Sequence, residues 1–202
     1  SNTNVLAKAV KLAPAVTTPG ADIRTTARKD GETDVFFLAN TGKEAREFTA
    51  SFRVTGKQPE LWQAEDGTSR AVAVWKSATG RTESPLRLNA HQSVFVVFRK
   101  PAPVDHAVEI VAADKVAYVA RVDQAGKVVV RSAGSCRGEI VFASGKRASF
   151  AIAAVAPIPL TGAWQVGFAP GLGAPAQATF PELRSWSENA DPNIKYFSGT
   201  AT

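Results

Sequence analysis

The sequence predicts an all-β protein made of antiparallel β-sandwich modules in tandem, with a short helix near its N-terminus. Three observations favour this fold class. Apolar and polar residues alternate over short segments, turn residues recur about every 8–12 residues, and two proline-containing stretches separate groups of segments. Apolar residues make up 45% of the 202 residues, which is sufficient for a buried core.

The segment at residues 46–54 shows the alternation most clearly. Phe48 and Phe52 fall on one face of an extended chain, whereas Thr49 and Arg53 fall on the other. A strand with one apolar and one polar face is typical of an antiparallel sheet that packs on a core and meets water on its other side.

The same criteria predict strands along most of the remaining chain, with hairpin turns at Ala125-Gly126 and Ser144-Gly145. The further predicted strands are 34–40, 60–63, 71–75, 83–88, 93–99, 108–111, 117–122, 127–132, 139–143, 149–155, 164–168, 176–180 and 194–202.

These segments divide the chain into four predicted parts. Residues 1–21 form a helix (5–13) and a linker, because apolar positions in this helix follow helical spacing and Pro14 ends it. Residues 22–101 form a first β-sandwich module, and 102–157 form a second β unit. Residues 158–202 are too few for a sandwich of their own. They are expected to pair with the first sandwich, to lie against another copy of the chain, or to leave exposed edge strands. The helix at one end and the unfinished strand at the other predict a piece of a longer chain.

Composition argues against several classes of site. The net charge of +6 is spread along the chain without a basic run, which argues against a nucleic-acid binder. Cys136 is the only cysteine and is expected to be buried, and His91 and His106 are not at metal-ligand spacing. We therefore predict no metal, no cofactor, no catalytic residue and no membrane span.

Three stretches of the sequence resemble a known enzyme family. The first stretch includes residues 34–40 (DVFFLAN), 57–62 (KQPELW) and 93–98 (SVFVVF). It resembles the β domain that follows the catalytic barrel in bacterial glycoside hydrolases of the family 106 α-L-rhamnosidase type. The second is 162–168 (GAWQVGF) and the third is 180–201, which ends in IKYFSGTA; both resemble the start of the sugar-binding-like jelly roll in those enzymes, akin to the N-terminal domain of family 2 glycosidases.

The resemblance implies a substrate class and a cellular location. It implies a parent enzyme, periplasmic or extracellular, that hydrolyses plant-polysaccharide oligosaccharides with terminal rhamnose. In the family the catalytic carboxylates belong to the upstream barrel, so no catalytic residue is carried onto this chain. The partner implied is the rest of the parent polypeptide, together with a rhamnose-containing glycan.

The residues themselves offer few alternatives to this interpretation. Glycoside hydrolysis uses two carboxylates about 5–10 Å apart, but Glu65-Asp66 and Asp191 lie in turn-forming sequences, which leaves Glu182 without a partner. Trp62 and Trp75 are the better exposed indoles and are the predicted carbohydrate contacts. Three functions remain open: a non-catalytic accessory segment, a carbohydrate-binding module, and a complete small enzyme, for which the sequence offers the least support.

Overall fold

The computed structural model describes residues 13–114 and 116–202, so the predicted helix at 5–13 lies almost wholly outside the described residues. The fold is all-β and antiparallel, as predicted. Its strands are β1 (Val16–Thr17), β2 (Ile23–Asp30), β3 (Thr33–Asn40), β4 (Arg46–Phe52), β5 (Lys57–Trp62), β6 (Ser69–Ala71), β7 (Lys76–Ala78), β8 (Arg81–Leu88), β9 (Ser93–Pro101), β10 (Ala107–Ala112), β11 (Tyr118–Val122), β12 (Val128–Ser132), β13 (Cys136–Phe142), β14 (Arg147–Ile152), β15 (Trp164–Gly167) and β16 (Gln177–Phe180).

The first nine strands form a sandwich of two antiparallel sheets. One sheet has the order β1-β4-β8-β7 and the other β2-β3-β9-β5-β6. Phe36 and Phe98 from the five-stranded sheet meet Phe52 from the four-stranded sheet, with ring centroids 4.9 and 5.3 Å from the Phe52 ring. Since burying one phenylalanine contributes about 1.5–3 kcal/mol, this triad supplies a large share of the stabilisation of the sandwich.

The alternation predicted at 46–54 is confirmed in β4. Phe48, Ala50 and Phe52 are buried, whereas the residues between them are exposed or half-buried. The strand pairs with β8 and also with β1. The predicted linker therefore contains a short edge strand.

The Asn40 side chain forms hydrogen bonds with loop backbone groups at one end of the sandwich. Its side-chain amide donates to the carbonyl oxygens of Glu44 (2.7 Å) and Asn89 (2.9 Å), and its Oδ1 accepts from the backbone of Gly42 (3.0 Å). An asparagine can satisfy loop backbone groups in this way because its side chain carries both donors and an acceptor. The predicted turn at 40–42 is thus confirmed, and its buried polar side chain is fully paired.

The next strands form a three-stranded sheet, β10-β13-β14, and a two-stranded ribbon, β11-β12. Both predicted hairpins are confirmed: Val122 pairs with Val128 around Gly126, and Val141 pairs with Arg147. Gly126 has a φ of 77°, which a residue with a side chain rarely adopts. Cys136 is buried, as expected.

Two strand predictions are wrong in part. In the predicted strand 71–75, only Ala71 belongs to β6, and Val74 forms an isolated parallel bridge with Ala107. The predicted strand 194–202 instead begins in a short helix, α1 (Pro192–Lys195), because the Asp191 side chain accepts from the Asn193 backbone and caps it. Only its end is extended, where Ala201 bridges to Phe168.

The chain divides into two compact units, residues 1–155 and 156–202. The second unit contains the β15-β16 hairpin and α1, around a small core of Phe168, Phe180 and Ile194. In the described residues β15 pairs with β16 on one side, and on the other side its last residue, Gly167, exchanges backbone hydrogen bonds with Thr202 (2.7 and 3.0 Å). The rest of β15 and the outer side of β16 are unpaired there, one of the outcomes expected for this segment. The predicted boundary between residues 101 and 102 stays a prediction.

Candidate functional site

Trp62 lies at the end of β5, on the face of the sheet opposite to the buried Leu61. Its side chain is 36% exposed. The Arg99 guanidinium lies 5.0 Å from the ring centroid, and the indole N–H donates to Glu60 Oε2 at 3.0 Å. These two contacts hold the indole in one orientation while a third of its surface stays open, as an aromatic platform for a sugar ring requires.

Glu60 anchors this arrangement. Its carboxylate is 4% exposed and accepts from Arg99 Nε at 2.8 Å and from Lys100 Nζ at 3.0 Å. Desolvation raises the pKa of Glu60, but the hydrogen bonds from Arg99, Trp62 and Lys100 outweigh it and hold the pKa below its usual value. The group is therefore a fixed anion and not a proton donor.

Trp75 is 1% exposed, so the expectation that its indole is exposed is wrong. After β6 the chain leaves the sheet and contacts β10, where the Trp75 backbone N–H donates to Ala107 O at 3.1 Å. The indole stacks on the His106 ring with centroids 3.6 Å apart and planes 5° apart. Trp75 thus packs the sandwich against the strands that follow it.

His106 completes this stack without hydrogen bonds to its ring. Neither ring nitrogen, nor Trp75 Nε1, has a partner among the described residues. Burial lowers the pKa of His106, and the charge of neighbouring Asp105 only partly opposes this shift. The lowered pKa favours the neutral imidazole. Within 13–114 and 116–202 no three His, Cys, Asp or Glu side chains form a group that could hold a metal ion.

The carboxylates singled out in the sequence have local structural partners. Asp66 accepts from the Thr68 backbone at 2.9 Å and from its hydroxyl at 2.7 Å, which closes a turn. Asp191 caps α1, and Glu182 forms an ion pair with Arg184. The predicted turn-forming roles of Asp66 and Asp191 are confirmed.

A crevice of about 1270 Å³ lies between the sandwich and the second group of strands, within the first unit. Its walls come from β4, β6 and β8 on one side and from β10, β11 and β12 on the other. Mixed apolar and charged side chains line it, among them Leu86, Val119, Tyr118, Arg70 and Arg131. The sequence analysis missed this crevice, because its lining residues come from separate segments between positions 47 and 133.

Comparison with known proteins connects this fold to glycoside hydrolases. The α-L-rhamnosidase family model, glycoside hydrolase family 106, matches residues 2–76. A solved rhamnosidase from Novosphingobium sp. PP1Y is 33% identical and superimposes with a TM-score of 0.63 over 98% of this chain. Residues 2–76 thus match the family 106 model, and the fold of nearly the whole chain is similar to part of a rhamnosidase.

A curated relative supports the same relationship over a shorter stretch. A putative β-glucuronidase from Formosa agariphila is 50% identical over 80 residues, which is 39% of this chain and 7% of that protein. The chain spans 15% of the solved rhamnosidase, so both relatives are far longer than 202 residues. No helix in the described parts of the chain is both long enough and apolar enough to cross a membrane.

Proposed function

We propose that this chain is a non-catalytic accessory β-sandwich segment of a larger secreted glycoside hydrolase of the α-L-rhamnosidase type, acting on plant polysaccharide in the periplasm or outside the cell. The rest of the parent polypeptide is its partner. One relative is named as a rhamnosidase and the other as a putative β-glucuronidase, so their names differ in the sugar but share glycoside hydrolysis.

The share of its relatives that the chain spans carries this proposal, 15% of the solved rhamnosidase and 7% of the putative β-glucuronidase. Three hydrogen-bonded carboxyl groups support it. A glycosidase needs a general acid whose pKa is raised, held across a sugar from a second carboxylate. Glu60, Asp66 and Asp105 instead have lowered pKa values, because each accepts hydrogen bonds that outweigh desolvation. These groups are stabilised as anions, which suits structural roles and not proton donation.

An assay on an aryl α-L-rhamnoside tests the proposal. We expect the 202-residue chain to release no more aryl alcohol than buffer does, because a proton donor and an opposed carboxylate are both required. The solved Novosphingobium rhamnosidase, assayed beside it, shows that the substrate is competent. Release by the purified chain that disappears in the Glu182→Gln variant would contradict the proposal.

The exposed indole of Trp62 favours a second candidate function, direct contact with the glycan. A module that holds substrate near a catalytic domain raises its effective concentration without new chemistry. Trp62 is 36% exposed and contacts Arg99 and Glu60, whereas Trp75 is buried and has no ring face exposed to solvent. Of the two predicted contacts, only Trp62 remains part of this proposal.

Titration calorimetry with a rhamnose-rich polysaccharide tests the second candidate. Trp62→Ala should weaken binding about fivefold, since an aromatic contact contributes about 1 kcal/mol. Tyr196→Ala is the matched control, because Tyr196 is an exposed aromatic ring with Lys195 Nζ 5.6 Å from its centroid. Equal heats for Trp62→Ala and the unmodified chain would remove Trp62 from the site.

A further inference from the structure

Three arginines beside the crevice have no acidic partner. Arg70, Arg121 and Arg131, here called the arginine cluster, form no ion pair within the described residues, whereas Arg46, Arg87 and Arg99 of the sandwich do. The residues outside the description, 1–12 and 115, include no Asp or Glu. No side-chain carboxylate of the 202 residues therefore forms an ion pair with these three arginines.

Strand pairing brings the arginine cluster together. In the β11-β12 ribbon Arg121 pairs with Val129, and Val119 pairs with Arg131, so all four side chains share one face. Diagonal positions of this kind lie about 7–8 Å apart. Strand β6, which carries Arg70, packs against β11. The three arginines, on three neighbouring strands, thus lie close together at one edge of the crevice, which Arg70 and Arg131 line.

This arrangement of arginines is electrostatically unfavourable without a counter-charge. Burial lowers the pKa of Arg70, and the positive charge of Arg121 lowers it further. Like charges placed together without a counter-charge repel one another, and a bound anion removes that cost. The geometry and the charge therefore both favour an anionic ligand.

The other crevice residues define the rest of the ligand. Two carboxylates also line it, but Glu47 is paired with Arg87 at 3.1 Å, which leaves Glu109 as the remaining acid against Arg70 and Arg131. Val119 is exposed, shares the ribbon face of Arg121 and Arg131, and forms apolar surface beside the charges, and Leu86 lines the same crevice. A ligand that fits is flat and partly apolar on one side and carries a negative group on its edge.

We propose that the crevice binds an acidic oligosaccharide, with the arginine cluster holding the carboxylate of a uronic-acid residue and the apolar surface around Val119 contacting its ring. The planar guanidinium matches a carboxylate through two parallel hydrogen bonds, which a neutral sugar cannot accept in the same way. The choice of a glycan as ligand rests on the proposed accessory role. That the ligand is anionic follows from the residues alone.

Titration calorimetry of the 202-residue chain with a short galacturonate oligosaccharide tests this site. The same oligosaccharide with methyl-esterified carboxyl groups is the matched ligand, since it keeps the rings and loses the charge. We expect binding of the acidic form, weakened by added salt, and at least tenfold weaker binding of the ester.

Two double variants test whether galacturonate binds at the arginine cluster. Arg121→Gln/Arg131→Gln should weaken galacturonate binding by about a hundredfold, because two charge-assisted contacts are lost. Arg24→Gln/Arg28→Gln is the control, as it removes the same charge from exposed arginines of β2 that have no ion pair in the described residues. Equal losses in the two double variants would show a general charge effect and overturn the site.

Further outcomes distinguish the ligand class. No binding of galacturonate, equal binding of its methyl ester, or equally tight binding of short polyglutamate or of a DNA oligonucleotide would overturn the acidic-glycan assignment. Hydrolysis of an aryl rhamnoside by the chain would contradict the proposed accessory function while leaving this binding site untouched. The binding and hydrolysis experiments therefore distinguish failure of the proposed binding site from failure of the proposed accessory function.

Discussion

Replacing Trp75 by alanine should lower the free energy of unfolding by about 3–5 kcal/mol, the cost of removing a large aromatic side chain from a core. Trp75 is 1% exposed and is the largest of the fully buried side chains. Its loss leaves a cavity against the His106 ring, 3.6 Å away, where the sandwich meets the second group of strands. Both walls of the crevice depend on this contact.

Urea unfolding followed by circular dichroism measures the size of this effect, and amide hydrogen exchange shows its location. Protection should fall most in β10, which Trp75 contacts through its backbone bond to Ala107. Trp62→Ala is the matched control, because the same side chain is removed from a 36% exposed position. It should cost about 1 kcal/mol, since it loses a cation–π contact and one hydrogen bond. Equal costs for the two variants would contradict the assigned role of Trp75.

Replacing Phe98 by alanine should also cost about 3–5 kcal/mol. Phe98 is fully buried, and its ring contacts Phe52 of the opposite sheet at 5.3 Å and Phe36 of its own sheet at 5.8 Å. The two sheets cannot close over the resulting cavity, because their separation is set by the other side chains between them.

The same strand supplies the control for Phe98. Phe95 lies on the outer face of β9, is partly exposed, and pairs with Phe37 at 5.0 Å. Phe95→Ala should cost less than half as much in the same urea experiment, because the exposed side can rehydrate. A larger cost for Phe95→Ala than for Phe98→Ala would mean that the core lies on the other face of this sheet.

Local sequence patterns predicted most of the strands. The alternation in β4 and the glycine turn at Gly126 are confirmed, since side-chain period and positive φ are properties of a few consecutive residues. The prediction was wrong at 72–75 and at 194–202. In the first case a bridge from Val74 to the distant Ala107 replaced a local ladder, and in the second the Asp191 cap favoured a helical turn.

The candidate site was harder to predict, because its residues meet only through contacts between distant parts of the chain. The sequence indicated Trp62 and Trp75 from their polar neighbours, but one indole is half-exposed and the other is buried under strands about thirty residues further along the chain. No short motif marks Arg70 and Arg131, because they meet only after β6 packs against the β11-β12 ribbon.

The sequence by itself determined that the protein is all-β, that its first module is a two-sheet sandwich, and that it resembles family 106 glycoside hydrolases. Those properties depend on residue periods of two and on short strings such as KQPELW at 57–62. The tertiary structure alone decided which tryptophan is exposed and where unpaired arginines converge. Burial and charge clustering depend on contacts between residues far apart in the chain, and packing of whole sheets selects those contacts.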